Sequence, residues 1–135
     1  MITLQEYFGR WMRQSTDEHQ QNAVKLLHAV EMLMNTMRAV GVTFPYNPLT
    51  RSLISGITYG GYRPKDCQIG APNSAHKQGL AVDLYDPSNT IDDYLLEHQA
   101  LLAETGIYIE HPSATKGWSH WSIKPPKSGR HVFMP

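Results

Sequence analysis

The sequence predicts an α+β domain in which a small antiparallel sheet is covered by helices on one face. Three observations predict this fold class. The first forty residues have the apolar spacing of helices, the later part contains short alternating segments, and the connections between those segments are of hairpin length. A parallel sheet would need a more regular alternation of strands and helices. The 135 residues have the usual size of one domain.

Two helices are predicted at the start of the chain. Thr3 and Glu6 have the spacing of a capping box, which indicates a short first helix that ends near Arg13. A second helix ends at Gly41, a typical residue type just beyond a helix end. Its apolar stripe contains Val24, Leu27, His28, Glu31, Leu33, Met34, Met37 and Val40. We expect the methionines of this helix, Met32, Met34 and Met37, to pack in the core rather than to bind a partner.

The middle of the chain contains one expected strand and one long loop. Residues 53–62 alternate well enough for a strand, although their glycines indicate bulges or close backbone approach. Residues 63–75 form a polar loop of a length that is usually functional or mobile. This loop contains Cys67, the single cysteine, so an internal disulfide and a thiolate zinc cluster are excluded. A nucleophilic role for Cys67 is not predicted, because no Cys-His arrangement accompanies it.

The remaining elements complete the expected sheet. Strands are predicted at residues 80–85, 107–110 and 118–123, with an edge strand at 131–133. A helix from Thr90 to Thr105 separates the first two of these strands and ends at Gly106. Two acidic residues, Asp92 and Asp93, lie in the first turn of this helix, where we expect them to complement the helix dipole rather than to act in catalysis.

Composition and charge disfavour several classes of partner. Twelve basic and twelve acidic residues give a formal net charge of zero, which argues against a nucleic-acid partner. No apolar stretch approaches the roughly 20 residues that a membrane span requires. The N-terminus lacks the basic and apolar regions of an export signal, so we expect a cytoplasmic protein, and we expect it to be a monomer.

Residues 74–83 contain side chains that are suited to binding a metal ion. On a strand at 80–85, Asp83 faces away from the apolar side of that strand. His76 precedes a turn at Gly79 that can bring its imidazole towards Asp83. Catalytic zinc normally has three protein ligands, and His120 on a later strand offers the third.

The same stretch resembles a known family. It matches in full the SxHxxGxAxD signature of the M15 metallopeptidases, at Ser74, His76, Gly79, Ala81 and Asp83. This family includes D-Ala-D-Ala carboxypeptidases and dipeptidases and L-alanyl-D-glutamate endopeptidases. Residues 61–64 look like the family's Gly-Tyr-Arg segment, and residues 118–121 resemble its last zinc-ligand strand. The resemblance covers residues 55–123 and implies a fold shared with lysostaphin and the hedgehog signalling domain.

The resemblance implies a function and a set of roles. Zinc would be bound by His76, Asp83 and His120, while Arg63 would bind a substrate carboxylate or stabilise the tetrahedral intermediate. The reaction would be hydrolysis of peptide bonds in cell-wall peptidoglycan, with its stem peptides as substrates. The short chain and its ending also look like small phage-encoded members of the family. Such a protein would lie in the host cytoplasm and be released to the cell wall or carried on the virion.

One position departs from the family pattern. The family enzymes have an acidic general base three residues before the last zinc-binding histidine, and this chain has Gly117 there. Glu110 is the first candidate for a substitute base, because it ends the strand expected to pair with residues 118–123, and His111 is the second. The alternative function is a non-catalytic, zinc-bearing module that binds peptidoglycan or another protein.

These features divide the expected single domain, residues 1–135, into three parts. Residues 1–41 form the N-terminal helices, residues 53–123 form the core that contains the metal site, and residues 124–135 form a tail. The basic residues of the tail are too few to predict a polyanion site. Zinc is therefore the only cofactor that the sequence predicts.

Overall fold

The structure is a computed structural model that describes residues 1–135, and it contains four α-helices and four β-strands. The helices are α1 (Leu4–Phe8), α2 (Asp17–Ala39), α3 (Thr90–Glu97) and α4 (Ala100–Thr105). The strands are β1 (Ala81–Tyr85), β2 (Tyr108–Glu110), β3 (Trp118–Ser122) and β4 (Val132–Phe133). Short 3-10 helices occur at Gly9–Gln14, Ala75–Gln78 and Pro112–Ala114. The predicted α+β class is confirmed.

The N-terminal helices begin at side-chain caps. The Thr3 Oγ1 atom accepts a hydrogen bond from the Glu6 backbone N–H at 3.0 Å, and the Glu6 carboxylate accepts one from the Thr3 backbone. The predicted capping box is therefore confirmed, although only Leu4–Phe8 is α-helical and Gly9–Gln14 continues as a 3-10 helix. Thr16 caps α2 in the same way, through the His19 backbone N–H.

The buried face of α2 differs slightly from the predicted stripe. Its buried residues are Ala23, Leu26, Val30, Leu33, Met34 and Met37. Val24 and Val40 were expected on this face but are exposed. The helix turns Ala23, the residue before Val24, towards the core, whereas Val40 is the C-cap that follows the last residue of α2. Met34 and Met37 pack in the core as expected, whereas Met32 is half exposed.

The sheet is mixed rather than purely antiparallel. Its strand order is β1-β3-β2-β4, and β3 is antiparallel to both of its neighbours. The pair β2 and β4 is parallel, with Ile109 opposite Val132. The expectation of an antiparallel sheet was therefore wrong for this one pair. Residues 124–131 reverse the chain once after β3, so the strand that follows must run in the same direction as β2.

Two further expectations about secondary structure were wrong. Residues 53–62 form no strand and make only one isolated bridge, between Ile54 and Leu84. Their backbone groups bond to separate segments, since Ser55 N–H donates to Asp83 and Tyr62 N–H donates to Tyr7. The helix predicted at 90–105 is interrupted after Glu97, at His98, whose ring stacks on Tyr94 and bonds to its carbonyl.

The sheet separates an apolar face from a polar one. Val82, Leu84, Ile109 and Trp121 are almost completely buried on the side that packs with the helices. Burial of each such side chain contributes about 1.5 to 3 kcal/mol. Because side chains alternate along a strand, the opposite face carries Asp83, His120 and Glu110. No helix combines the length and the apolar character that crossing a membrane requires.

Candidate metal centre

The signature residues around His76 build a short turn that presents this imidazole. Ser74 caps the 3-10 helix Ala75–Gln78, because its hydroxyl accepts a hydrogen bond from the His76 backbone N–H at 3.2 Å. Gly79 ends the helix with φ +77°, and a Cβ atom there would lie 2.4 Å from the His19 carbonyl oxygen. Glycine is therefore required at this position, both for its backbone conformation and for space.

Three side chains from separate elements converge at this turn. The Asp83 Oδ1 atom lies 3.2 Å from His76 Nε2 and 2.8 Å from His120 Nδ1. One nitrogen or oxygen atom from each of the three residues lies within 4.8 Å of the others. His76, Asp83 and His120 thus form a cluster that can hold a metal ion, and it consists of the residues that the sequence singled out.

Hydrogen bonds orient the His76 ring. Its Nδ1 atom lies 2.7 Å from the carbonyl oxygen of Gly61. A carbonyl oxygen only accepts hydrogen bonds, so Nδ1 carries the proton and Nε2 points towards Asp83. Metal-binding histidines are typically oriented in this way by a backbone carbonyl or a carboxylate. The partner here is a backbone atom, and for that reason no side-chain signal in the sequence could identify it.

Arg63 lies directly beside the cluster. Its Nη2 atom is 3.3 Å from Asp83 Oδ2, while Nε donates to the Tyr59 carbonyl at 2.8 Å and Nη1 to the Ile69 carbonyl at 3.4 Å. The two carboxylate oxygens of Asp83 therefore have different partners, since Oδ2 faces the guanidinium and Oδ1 faces both imidazoles. One N–H on each terminal nitrogen of Arg63 remains outside these three bonds.

The charges of the cluster are mutually stabilising. Burial acts to raise the pKa of Asp83, but the two neighbouring histidines outweigh burial and hold this pKa well below its usual range. Burial acts to lower the pKa of His120, whereas the hydrogen bond and charge of Asp83, together with the charge of Glu110, raise this pKa above its ordinary value. Asp83 is therefore a carboxylate at neutral pH, the form that binds metal ions.

Glu110 lies on the same face as the cluster. Tyr108 pairs with Ser122 and Ile109 with Trp121, so the next residue along β2 stands opposite His120. Antiparallel partners share a face, and the effect of the Glu110 charge on the His120 pKa agrees with this placement. His111, the second candidate base, instead uses Nδ1 to bond Ser113 at the start of the 3-10 helix Pro112–Ala114. Of the two candidates, Glu110 is the one that the sheet places beside His120.

The backbone at Gly117 does not suit the acidic residue of the family pattern. Gly117 has φ +99°, a conformation that residues with a side chain rarely adopt. Its N–H donates to Asn89 Oδ1 at 3.1 Å, and its carbonyl accepts from the Asp86 N–H at 3.3 Å. The position of the missing acid therefore has a backbone conformation in which any residue with a side chain would be strained.

Asp92 lies in the first turn of α3, as expected, but its carboxylate also has a structural role that the sequence did not predict. Its side chain is completely buried, and its carboxylate accepts hydrogen bonds from the hydroxyls of Thr115, at 2.7 Å, and Ser119. Burial raises the pKa of Asp92 to about 6, although these hydrogen bonds act to lower it. Asp92 therefore anchors α3 to the inner face of β3, beside His120. Asp93, the other acidic residue of this turn, is exposed.

Comparisons of the chain with known proteins find no similar protein. No protein-family model matches the chain, and searches of curated proteins and of solved structures find no match. The likeness to the metallopeptidases therefore depends on the motif residues alone.

The donor set of the cluster fits zinc. Zinc sites in proteins use histidine nitrogens and carboxylate oxygens, and catalytic sites use three such ligands. Two imidazoles and one carboxylate are present, one imidazole is oriented by a backbone carbonyl, and the carboxylate has a lowered pKa. The fold and the site together define an α+β protein with a candidate metal centre on the polar face of its sheet.

Proposed function

We propose that this protein is a zinc-dependent peptidase that hydrolyses peptide bonds in bacterial cell-wall peptidoglycan. The observation that carries the proposal is the convergence of His76, Asp83 and His120, three residues that the metallopeptidase resemblance had singled out. The presence of Glu110 on the same face supports a hydrolytic rather than a purely structural centre. Action of a phage-encoded enzyme on the wall of its host is the biological setting that the resemblance favours.

The chain supplies the groups that such a reaction needs. His76, Asp83 and His120 would hold zinc, which when bound supplies Lewis acidity that polarises a carbonyl and allows water to act as a nucleophile near neutral pH. Glu110 would take a proton from the attacking water and deliver it to the leaving amine. Arg63 retains one N–H on each terminal nitrogen, and these two donors would bond a substrate carboxylate or carbonyl.

Digestion of purified sacculi tests this proposal. Zinc-loaded protein is incubated with sacculi, and the released fragments are identified by mass spectrometry. We expect new peptide termini with the wild-type protein and none with His120→Ala. His98→Ala removes an exposed histidine of α3's C-terminal end and should leave digestion unchanged. Absence of fragments from zinc-loaded wild-type protein would contradict the proposal.

A second candidate function is supported by one observation. The position of the family's catalytic acid is a glycine with φ +99°, which favours a module that binds peptidoglycan or another protein without cleaving it. Such a module would co-sediment with sacculi in a His120-dependent manner while releasing no fragments. The digest and the sedimentation assay on the same samples therefore separate the two functions.

A further inference from the structure

A groove adjoins the candidate metal centre on the side of Arg63. Its cavity volume is about 520 Å³, which lies in the usual range for small-ligand sites. Both Arg63 and Asp83 line this groove, so it is continuous with the cluster. The remaining side-chain lining is largely apolar and includes Leu49, Ile57 and Trp118.

Several apolar side chains around the groove are exposed. Leu49 is 76% exposed, Ile57 is 73% exposed and Tyr59 is 38% exposed. These three residues come from two loops and surround one concavity. Exposed apolar side chains gathered around a concave surface typically mark a binding site, whereas single exposed ones require no explanation.

A buried amide holds the two loops together. Asn47 is only 3% exposed, and its Nδ2 atom donates to the carbonyls of Gly56, at 2.9 Å, and Ile54, at 3.4 Å. Its Oδ1 atom accepts from the Leu49 backbone N–H at 3.0 Å. One side chain thus links the loop that carries Leu49 to the loop that carries Ile57.

Other contacts hold Tyr59, on another side of the groove, in place. The Tyr59 ring stacks on Trp11, with ring centres 6.1 Å apart and planes 17° from parallel. Trp11 Nε1 also donates to the Thr58 carbonyl at 3.4 Å, and Arg63 Nε donates to the Tyr59 carbonyl at 2.8 Å. The groove is therefore formed in advance, which lowers the entropic cost of binding a ligand.

We propose that this groove binds an uncharged, aliphatic side chain of the peptide substrate at a position next to the scissile bond. The proposal rests on the proposed peptidase function, because it takes the cluster as the place of cleavage. The only charged residues that line the groove, Arg63 and Asp83, are paired with each other. The remaining N–H groups of Arg63 are assigned to a carboxylate or carbonyl of the substrate, so a charged substrate side chain would lose water there without a partner of its own. An aliphatic side chain would instead cover Leu49 and Ile57.

A titration followed by nuclear magnetic resonance tests the proposal without requiring turnover. The probes are acetyl-Ala-Xaa-Ala-amide peptides in which Xaa is leucine or aspartate, each in L and D form, added to zinc-loaded Glu110→Gln protein. We expect saturable shifts at Leu49, Ile57 and the Trp118 indole, with a leucine probe bound at least about fivefold more tightly than its aspartate counterpart. Equal binding of the two, or no saturable shift at these residues, would overturn the proposal.

Variants of exposed residues localise the effect. Leu49→Ser and Ile57→Ser should each weaken binding of the leucine probe by about fivefold. Val40→Ser changes an apolar residue of similar exposure, 64%, at the end of α2 and outside the groove, and should leave binding unchanged. If the leucine probe binds in the groove but sacculi stay intact, the peptidase proposal fails, while the preference of the groove for an aliphatic side chain is still supported. If sacculi are cut without any aliphatic preference, the groove proposal fails alone.

Discussion

Asp83 and His120 face each other across the pairing of β1 and β3, with Asp83 Oδ1 2.8 Å from His120 Nδ1. The apolar partners on the other face, Val82 opposite Trp121, are completely buried and determine this register. A slip of one residue would move an ion-binding side chain into the core and Trp121 into water. The packing of the core therefore sets the geometry of the candidate metal centre.

Replacement of Glu110 tests the general base. Glu110→Gln keeps the shape of the side chain and removes its basicity, so we expect zinc binding to persist and hydrolysis to fall by about 100-fold or more. Glu104→Gln on the exposed side of α4 is the matched control and should retain activity. Peptide release is measured at saturating zinc. Unchanged hydrolysis in Glu110→Gln would exclude Glu110 as the base.

Arg63→Lys tests the role of the guanidinium. Lysine keeps the positive charge near Asp83 but lacks the planar donors that bond Tyr59, Ile69 and the carboxylate at once. We expect lower peptide turnover with unchanged zinc content. Arg130→Lys, an exposed arginine in the C-terminal tail, serves as the control. Wild-type turnover in Arg63→Lys would show that the guanidinium group has no part in the reaction.

Gly117→Glu tests the backbone at the position of the family acid. Because φ is +99°, any side chain is strained there, and we expect the free energy of unfolding to fall by about 1 to 3 kcal/mol. Lys116→Ala changes the exposed neighbouring residue and should stay within about 0.5 kcal/mol of the wild type. Urea denaturation measures both. A Gly117→Glu protein as stable as the wild type would contradict the strain argument.

The buried Asp92 predicts a pH dependence of stability. Its pKa is raised to about 6, so the folded protein holds this proton over a pH range in which the unfolded chain has released it. The free energy of unfolding should therefore decrease as pH rises from about 4 to about 6, by up to about 3 kcal/mol from this group.

Denaturation of variants at several pH values isolates this contribution. As pH rises over this range, the free energy of unfolding of the wild type should fall relative to that of Asp92→Asn. Asp93→Asn, which alters the exposed neighbour, should follow the wild type. A difference between the wild type and Asp92→Asn that is independent of pH would contradict the raised pKa.

The sequence predicted the convergence of the cluster because strand alternation is a local property. Alternation in residues 80–85 placed Asp83 away from the core, and the turn at Gly79 directed His76 back towards it. The structure confirms these placements. Zinc binding and catalysis by these residues remain predictions.

Other features depend on distant contacts and could not be found in this way. Residues 53–62 alternate like a strand, but their backbone groups bond to α1 and β1 at separate points. The burial of Asp92 depends on Ser119, 27 positions away, which lies on the inward face of β3. The parallel pairing of β4 depends on the path of the tail. Asn47 lies between Pro45 and Pro48 in a connecting segment, and nothing in the local sequence predicts that its side chain is buried.

Metal stoichiometry tests the central claim most directly. The wild-type protein, His76→Ala, His120→Ala and the control His98→Ala are each loaded with zinc, freed of excess metal and measured by elemental analysis. We expect one zinc per chain in the wild type and in His98→Ala, and loss of stoichiometric zinc in each of the other two variants. Full zinc content in both His76→Ala and His120→Ala would contradict the assignment of the metal centre.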